Sequence, residues 1–436
     1  MPNGALSAGV TVGGASGTQT LQVAGTTQGN GTFQDSVFNP GYSGQQLTIG
    51  AHGVLQMTSS GSNPGRSIVG GDIVSSGLIT VDPGASGPNT GRDLRANVTN
   101  NAGGVIAFHT DVTTCGCGSG GTWINNGMFT TDAGTTSTLS RTGAGINFTQ
   151  SGGTLANNGE IAIDGTLTHS GGGTTGNPIQ ICGTLNPAGP GTASFAPVGT
   201  ASCNSFSIGS DIGSGDTVEV NTTTSLLDAY IGSFTNHGTL SFDSSSGHLV
   251  QLHAGQSDVF TNAGTLNFTG TNVAVKLVNN GTTNIVASPG LSTNFNTPIT
   301  QAAGTLTVAG TLNAQAGVTL SGGTIANPGT LGAIGFTHTG GNATGNPVMV
   351  CSYVSAPGPG TGSFQLLNAA AGNPNGACGN PYIASDIGAG DTVEVHADNA
   401  QLDAFIGSFT NHGTLSFDSS SGHLVQLHAG QSDVFT

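Results

Sequence analysis

Asp211 and Asp216 bracket the turn DIGSGD, and Asp386 and Asp391 bracket its near-copy DIGAGD. Carboxylates spaced across a glycine turn are the oxygen donors that hold calcium, and the turn resembles a calcium loop. Tandem calcium repeats complete each site with the next turn, whereas this turn occurs once per long repeat. It therefore reads as an Asp-rich corner ahead of the strand TVEV. Asp211, Asp216, Asp386 and Asp391 stand as weak calcium candidates, and no other cofactor is expected.

Histidines are the second group with chemistry to offer. His237, His248 and His253 recur as His412, His423 and His428. In HLVQLH the two histidines are five positions apart, which on a strand sends them to opposite faces, so they do not converge on one metal ion. Surface or corner positions are expected for them. Arg92, Asp93 and Arg95, in GRDLRAN, form the one mixed-charge cluster. A glycan lyase or hydrolase on a β-helix needs clustered carboxylates, or carboxylates beside a basic group, on neighbouring coils. So few titratable groups predict a solvated loop here, with no catalytic residue and no enzyme.

Six cysteines lie at 115, 117, 182, 203, 351 and 378. Cys182 and Cys203 occupy places equivalent to Cys351 and Cys378 in a duplicated segment, which suggests local cross-links within each pair, although six cysteines allow 15 pairings. The CGC of Cys115 and Cys117 reads as a local disulfide or two loop cross-links. Structural disulfides predict an oxidising, extracytoplasmic setting. The opening MPNGALSAGVTVGG has neither a basic stretch nor an apolar stretch and does not read as a secretory signal.

The elements that position these residues follow from composition. Charged residues make up 6% of the 436, and 76 positions are glycine, which excludes most ordinary globular enzymes. Disorder would pair low hydrophobicity with high charge; here Leu, Ile, Val and Phe recur at regular spacing. Glycine does not fall at every third position, so collagen is excluded, and the abundance of Gly, Thr, Asn and Ser disfavours helices. Five Lys and Arg against 21 Asp and Glu leave no footprint for nucleic acid, and no polybasic patch or long apolar run predicts a membrane partner.

The chain repeats itself. IGSFTNHGTLSFDSSSGHLVQLHAGQSDVFT occupies 231–261 and again 406–436, and SDIGSGDTVEV of 210–220 recurs as SDIGAGDTVEV at 385–395, both at an offset of 175. GNPIQIC and GNPVMVC are 169 apart, so a loop insertion of about six residues precedes Cys378. A shorter phrase recurs inside the long one, as in NNGEIAID, NHGTLSFD, NAGTLNFT and NPGTLGAI, at steps of about 25 residues. In GTLSFD, Leu240 and Phe242 point one way and Thr239, Ser241 and Asp243 the other; the preceding glycine supplies a tight corner. Strands this short bury nothing alone and must stack coil on coil.

These features predict an all-β fold, a parallel β-helix (β-solenoid) of about 25 residues per coil and roughly 17 coils, with β-sandwich domains as the runner-up. N-terminal coils are expected over 1–86, a first 175-residue unit over 87–261 and a second over 262–436, as one continuous rod. A flat ice-binding face would need Thr-x-Thr in register on every coil, and the TLT, TVA and SFD phrases alternate too irregularly for it.

The GTL, NNG and SGGTI phrasing, with its near-identical long duplication, resembles the β-strand-repeat proteins of bacterial surfaces, including filamentous-haemagglutinin-like adhesins. That resemblance implies a secreted or surface-attached fibre or adhesin and carries over no catalytic residue. The expected role is structural or adhesive, through self-association end to end or along the rod and contacts with cell surfaces or glycans. A carbohydrate-active enzyme and a calcium-stabilised glycan-binding module are the alternatives. QSDVFT continues into NAGTLNFTG in its first copy and stops in its second, which predicts a segment of a longer repetitive protein or a subunit whose open end stacks on another.

Overall fold

A computed structural model describes residues 10–13, 17–27, 33–34, 36–38, 46–59, 67–83, 92–114, 121–139, 145–199, 203–222, 226–367, 380–397, 401–419 and 422–436. These residues form an all-β parallel β-solenoid of about 14 turns. Two compact units result, one of residues 1–198 and 205–218, the other of residues 199–204 and 219–436.

Alternation along each short strand builds the coil. In Thr239–Asp243, Leu240 and Phe242 face the interior while Thr239, Ser241 and Asp243 stay half-exposed. Thr265–Thr269 repeats that pattern and pairs with it in parallel, Leu240 opposite Leu266 and Phe242 opposite Phe268. The column continues through Thr282–Ile285, Thr305–Val308, Thr324–Asn327 and Asn342–Gly345. A second column in the same unit runs Phe234–Asn236, Val259–Asn262, Lys276–Asn279, Ile299–Gln301 and Val318–Leu320. A third runs Leu227–Ile231, Val250–His253, Asn272–Ala274, Thr293–Phe295 and Thr311–Ala314. Each of these coils thus contributes three strands. In the first unit, one column stacks Gln19–Thr27, Gly53–Ser59, Leu78–Val81, Val105–Phe108, Met128–Thr131, Thr154–Asn157 and Gly173–Gly176, all parallel.

Coil length is more variable than the sequence spacing predicts. Equivalent interior positions are 25 residues apart at Asn100 and Asn125, 26 at Asn236 and Asn262 and only 17 at Asn262 and Asn279. Strand register is held by hydrogen bonds between coils, whereas corner loops are free to lengthen, so the pairing stays constant while the spacing drifts. The solenoid has about 14 turns, close to the roughly 17 expected.

Corner asparagines solve a local problem. Where the chain turns, carbonyls leave the strand ladder, and buried carbonyls need donors. The side chain of Asn262 is fully buried; its Nδ2 donates to Asn279 Oδ1 at 2.8 Å and to the carbonyl of Thr282 at 2.9 Å. Asn236 in turn donates to Asn262 Oδ1 at 2.9 Å, and Asn279 to Gln301 Oε1 at 2.7 Å. An amide ladder therefore runs up the interior, and Asn100, Asn125 and Gln150 form another in the first unit. Replacing Asn262 with alanine removes its donation to Asn279, Thr282 and Thr283 and takes away the acceptor of Asn236, a link on both sides of the ladder. The expected destabilisation is about 2–4 kcal/mol, from about 1–3 kcal/mol per buried group left unsatisfied, and chemical denaturation of the variant would measure it.

Glycine is obligatory at one corner in particular. Gly153 has φ +60° and packs so closely on the coil before it that an added Cβ would lie 1.8 Å from the carbonyl oxygen of Gly127. Any side chain there would push the two coils apart.

Candidate functional site

The chemistry-bearing side chains divide into an interior set and a surface set. The interior set grows out of the amide ladders. Gln150 pairs in register with His169, and Leu320, which follows Gln301 in the second unit, pairs with His338. Both histidines are fully buried and each meets one carboxylate: His169 Nδ1 lies 3.0 Å from Asp216 Oδ2 and His338 Nδ1 lies 3.0 Å from Asp391 Oδ2. The other ring nitrogen of His338 faces the carbonyl oxygen of Gly341 at 3.0 Å; for His169 the corresponding contact to Gly172 is 3.4 Å. Each ring also packs beside a phenylalanine, Phe195 or Phe364.

Two of the four calcium candidates are therefore interior ligands of histidine. Asp216 spends one oxygen on His169 and the other on the backbone N–H of Ala193 at 3.0 Å. Asp211 and Asp386 remain exposed, and Asp386 accepts from the N–H of Thr410 at 2.7 Å. The structure thus separates the two carboxylates of each turn, one outward and one inward. A neutral imidazole has a single N–H, but His338 faces two acceptors. Burial works against a charge on its ring; the hydrogen bonds to Asp391 and Gly341 and the charge of Asp391 outweigh it and raise the His338 pKa.

Arg92, Asp93 and Arg95 do not lie in a solvated loop. They belong to the strand Arg92–Asn100, with Arg92 and Asp93 both buried. Arg92 Nε donates to the carbonyl of Asp82 at 3.1 Å and Nη2 to that of Pro83. Desolvation lowers its pKa, against the pull of Asp82. Arg95 closes on Asp93 Oδ2 at 2.6 Å. The cluster misled because GRDLRAN has strand alternation hidden behind charged letters: Leu94, Ala96 and Val98 take the core positions.

On the surface, the repeated histidines pair with aspartates of the neighbouring coil. His253 Nε2 lies 2.9 Å from Asp228, and His428 Nε2 lies 3.1 Å from Asp403. Gln401 first, and then His428, hold the Asp403 pKa below the ordinary carboxylate range. The expected strand HLVQLH begins only at Val250, so His248 is outside it and never competes for the same face. His253 stacks on Tyr230, with ring centroids 5.2 Å apart, and His428 on Phe405 at 5.0 Å. In the second unit that stack extends, because Tyr353 pairs with Tyr382, Tyr382 with Phe405 and Phe405 with His428. Four rings thus stand in register on successive coils, with Tyr382 and Phe405 exposed.

One surface group carries a donor set that sequence reasoning missed. Glu394 and His396 alternate outward on the strand Asp391–His396, and Asp418 stands directly opposite His396 on the next coil. His396 Nδ1 lies 3.0 Å from Asp418 Oδ2 and 3.9 Å from Glu394 Oε1, and among the described residues this is the group of three able to share an ion. The legible signal was Glu-x-His on one strand, where two-residue alternation puts both on one face; the partner across the coil was not legible.

Cys182, Cys203 and Cys351 are each disulfide-bonded. Cys115, Cys117 and Cys378 lie outside the described residues, as do the cross-links expected of them.

No protein-family model, curated protein or solved structure matches the chain.

Proposed function

We propose that this chain is an extracellular structural or adhesive repeat protein that acts through self-association or multivalent contact with surfaces. The observation that supports the reading is the recurrence of one side chain at one place on successive coils. Thr239, Thr265, Thr282, Thr305 and Thr324 pair in register, all at least partly exposed. Beside them Asn284 donates to Asn267 and Asn267 to Ser241, at 2.8 and 3.0 Å. Coils in such a ladder are about 4.8 Å apart, so a partner that makes one weak polar contact meets the same contact again one coil on. Avidity then replaces a single strong site. Disulfide-bonded cysteines fit an oxidising location.

The test is capture and assembly. Retention on glycan-coated or cell-derived surfaces should fall steeply when Thr265, Thr282 and Thr305 are changed together to glutamate, which places like charges in a row. Electron microscopy and sedimentation should show filaments or concentration-dependent assembly. Monodisperse particles at every concentration, with no surface retention, would overturn the proposal. So would release of unsaturated or reducing ends from acidic glycans, which would make the chain an enzyme.

A further inference from the structure

We infer that Glu394, His396 and Asp418 form a binding site for a divalent transition-metal ion, zinc foremost, that clamps two successive coils together. The donors are one imidazole nitrogen and two carboxylate oxygens, a set that suits zinc and its borderline neighbours rather than calcium, which takes six or more oxygens. Their three donor atoms all lie within 4.8 Å of one another. A metal with bonds of about 2.0–2.1 Å holds adjacent donors about 2.9–3.4 Å apart; the His396–Asp418 distance of 3.0 Å falls in that range and the His396–Glu394 distance of 3.9 Å lies above it.

Three features favour a built site over a chance ion pair. First, pairing of His396 with Asp418 accounts for the 3.0 Å contact but leaves the orientation of Glu394 unexplained. Gln365, one coil earlier and opposite Glu394, donates from Nε2 to Glu394 Oε2 at 3.1 Å; that leaves Oε1 turned to the imidazole, the kind of outer hydrogen bond that orients a ligating carboxylate. Second, all three side chains are between 18% and 32% exposed, so an ion would be backed by the sheet and open to water on its outer side.

Third, the duplication supplies its own comparison. The equivalent residues of the earlier copy are Glu219, Asn221 and Asp243, where the imidazole is absent and the aspartate is committed elsewhere: Asp243 accepts from the N–H and the hydroxyl of Ser245 at 2.8 and 2.9 Å. The two copies differ at every position of 221–226 and 396–401, and the histidine enters with that change. The net charge of −16 adds a general attraction for cations.

The experiment uses the whole chain, freed of metal with a chelator and titrated with zinc chloride by calorimetry. His396→Asn is the variant of choice, because asparagine already occupies that position in the earlier copy and the fold accepts it. The expected result is one zinc per chain that is lost or weakened at least about tenfold in the variant, with no displacement by excess calcium or magnesium. Zinc should also slow amide exchange in Thr414–Asp418 of the unsubstituted chain and leave the variant unchanged. Equal zinc affinity and stoichiometry in the two proteins would overturn the inference, since binding would then belong to other histidines. Absence of zinc binding to the unsubstituted chain, or exchange slowed equally in both, would overturn it as well.

Discussion

Replacing Asp391 with alanine is expected to destabilise the second unit by about 3–5 kcal/mol, the usual consequence of removing one partner from a buried ion pair. Neither Asp391 nor His338 exposes any side-chain surface, so the variant leaves a buried imidazole without its counter-charge. The loss does not mean that the pair is worth that much against an apolar filling. Changing both residues together, His338→Leu with Asp391→Leu, should cost far less, because leucine at Leu320 already occupies the same register position one coil earlier. Thermal or denaturant unfolding of the single and double variants would measure the difference. Equal destabilisation in both would show that the charge pairing is not what matters.

The same pair gives a pH dependence of defined sign. The His338 pKa is raised in the folded chain above its ordinary value of 6.5. Its contribution is therefore fully present below about pH 6.5 and is lost as pH rises through the higher folded value. Deprotonation leaves one N–H for two acceptors, Asp391 and the Gly341 carbonyl. Melting temperature should decline on the alkaline side in the unsubstituted chain and decline less in the double leucine variant. A parallel decline in both would remove His338 as its source.

The second large effect is expected at Phe242, a core ring of the repeated thirty-one residues. Phe242 is 1% exposed. Phe242 stacks on Phe268 of the next coil, with centroids 5.5 Å apart and rings 11° from parallel. Phe242→Ala should cost about 3–5 kcal/mol through lost burial and the cavity left behind. Because each coil touches only its neighbours, amide exchange should accelerate around Thr239–Asp243 and Thr265–Thr269 and leave distant coils unaffected. A cost below about 1 kcal/mol would mean that the neighbouring coil contributes little to its burial.

Much of the fold was legible because it is local. Glycine at a corner and alternation in TLSFD are properties of a few adjacent residues, and together they force short strands that must stack. Even the asparagine of NNG and NHG announces a ladder. Variation in coil length was hidden, since corner loops change length without altering the strands they join. Charged letters hid the strand at Arg92–Asn100, where an arginine keeps its guanidinium inside by donating to carbonyls.

By itself the sequence determined which residues alternate inward and outward along each strand, where the chain turns, and hence the all-β solenoid. Tertiary structure alone decided which residues meet. It turned Asp216 and Asp391 inward to a histidine 47 and 53 residues away while leaving Asp211 and Asp386 outside; it set Asp418 opposite His396. The physical reason is that period-two alternation is written in neighbouring residues, whereas the partner of a side chain in a solenoid lies one coil away. That partner is chosen by the register of the hydrogen bonds between coils.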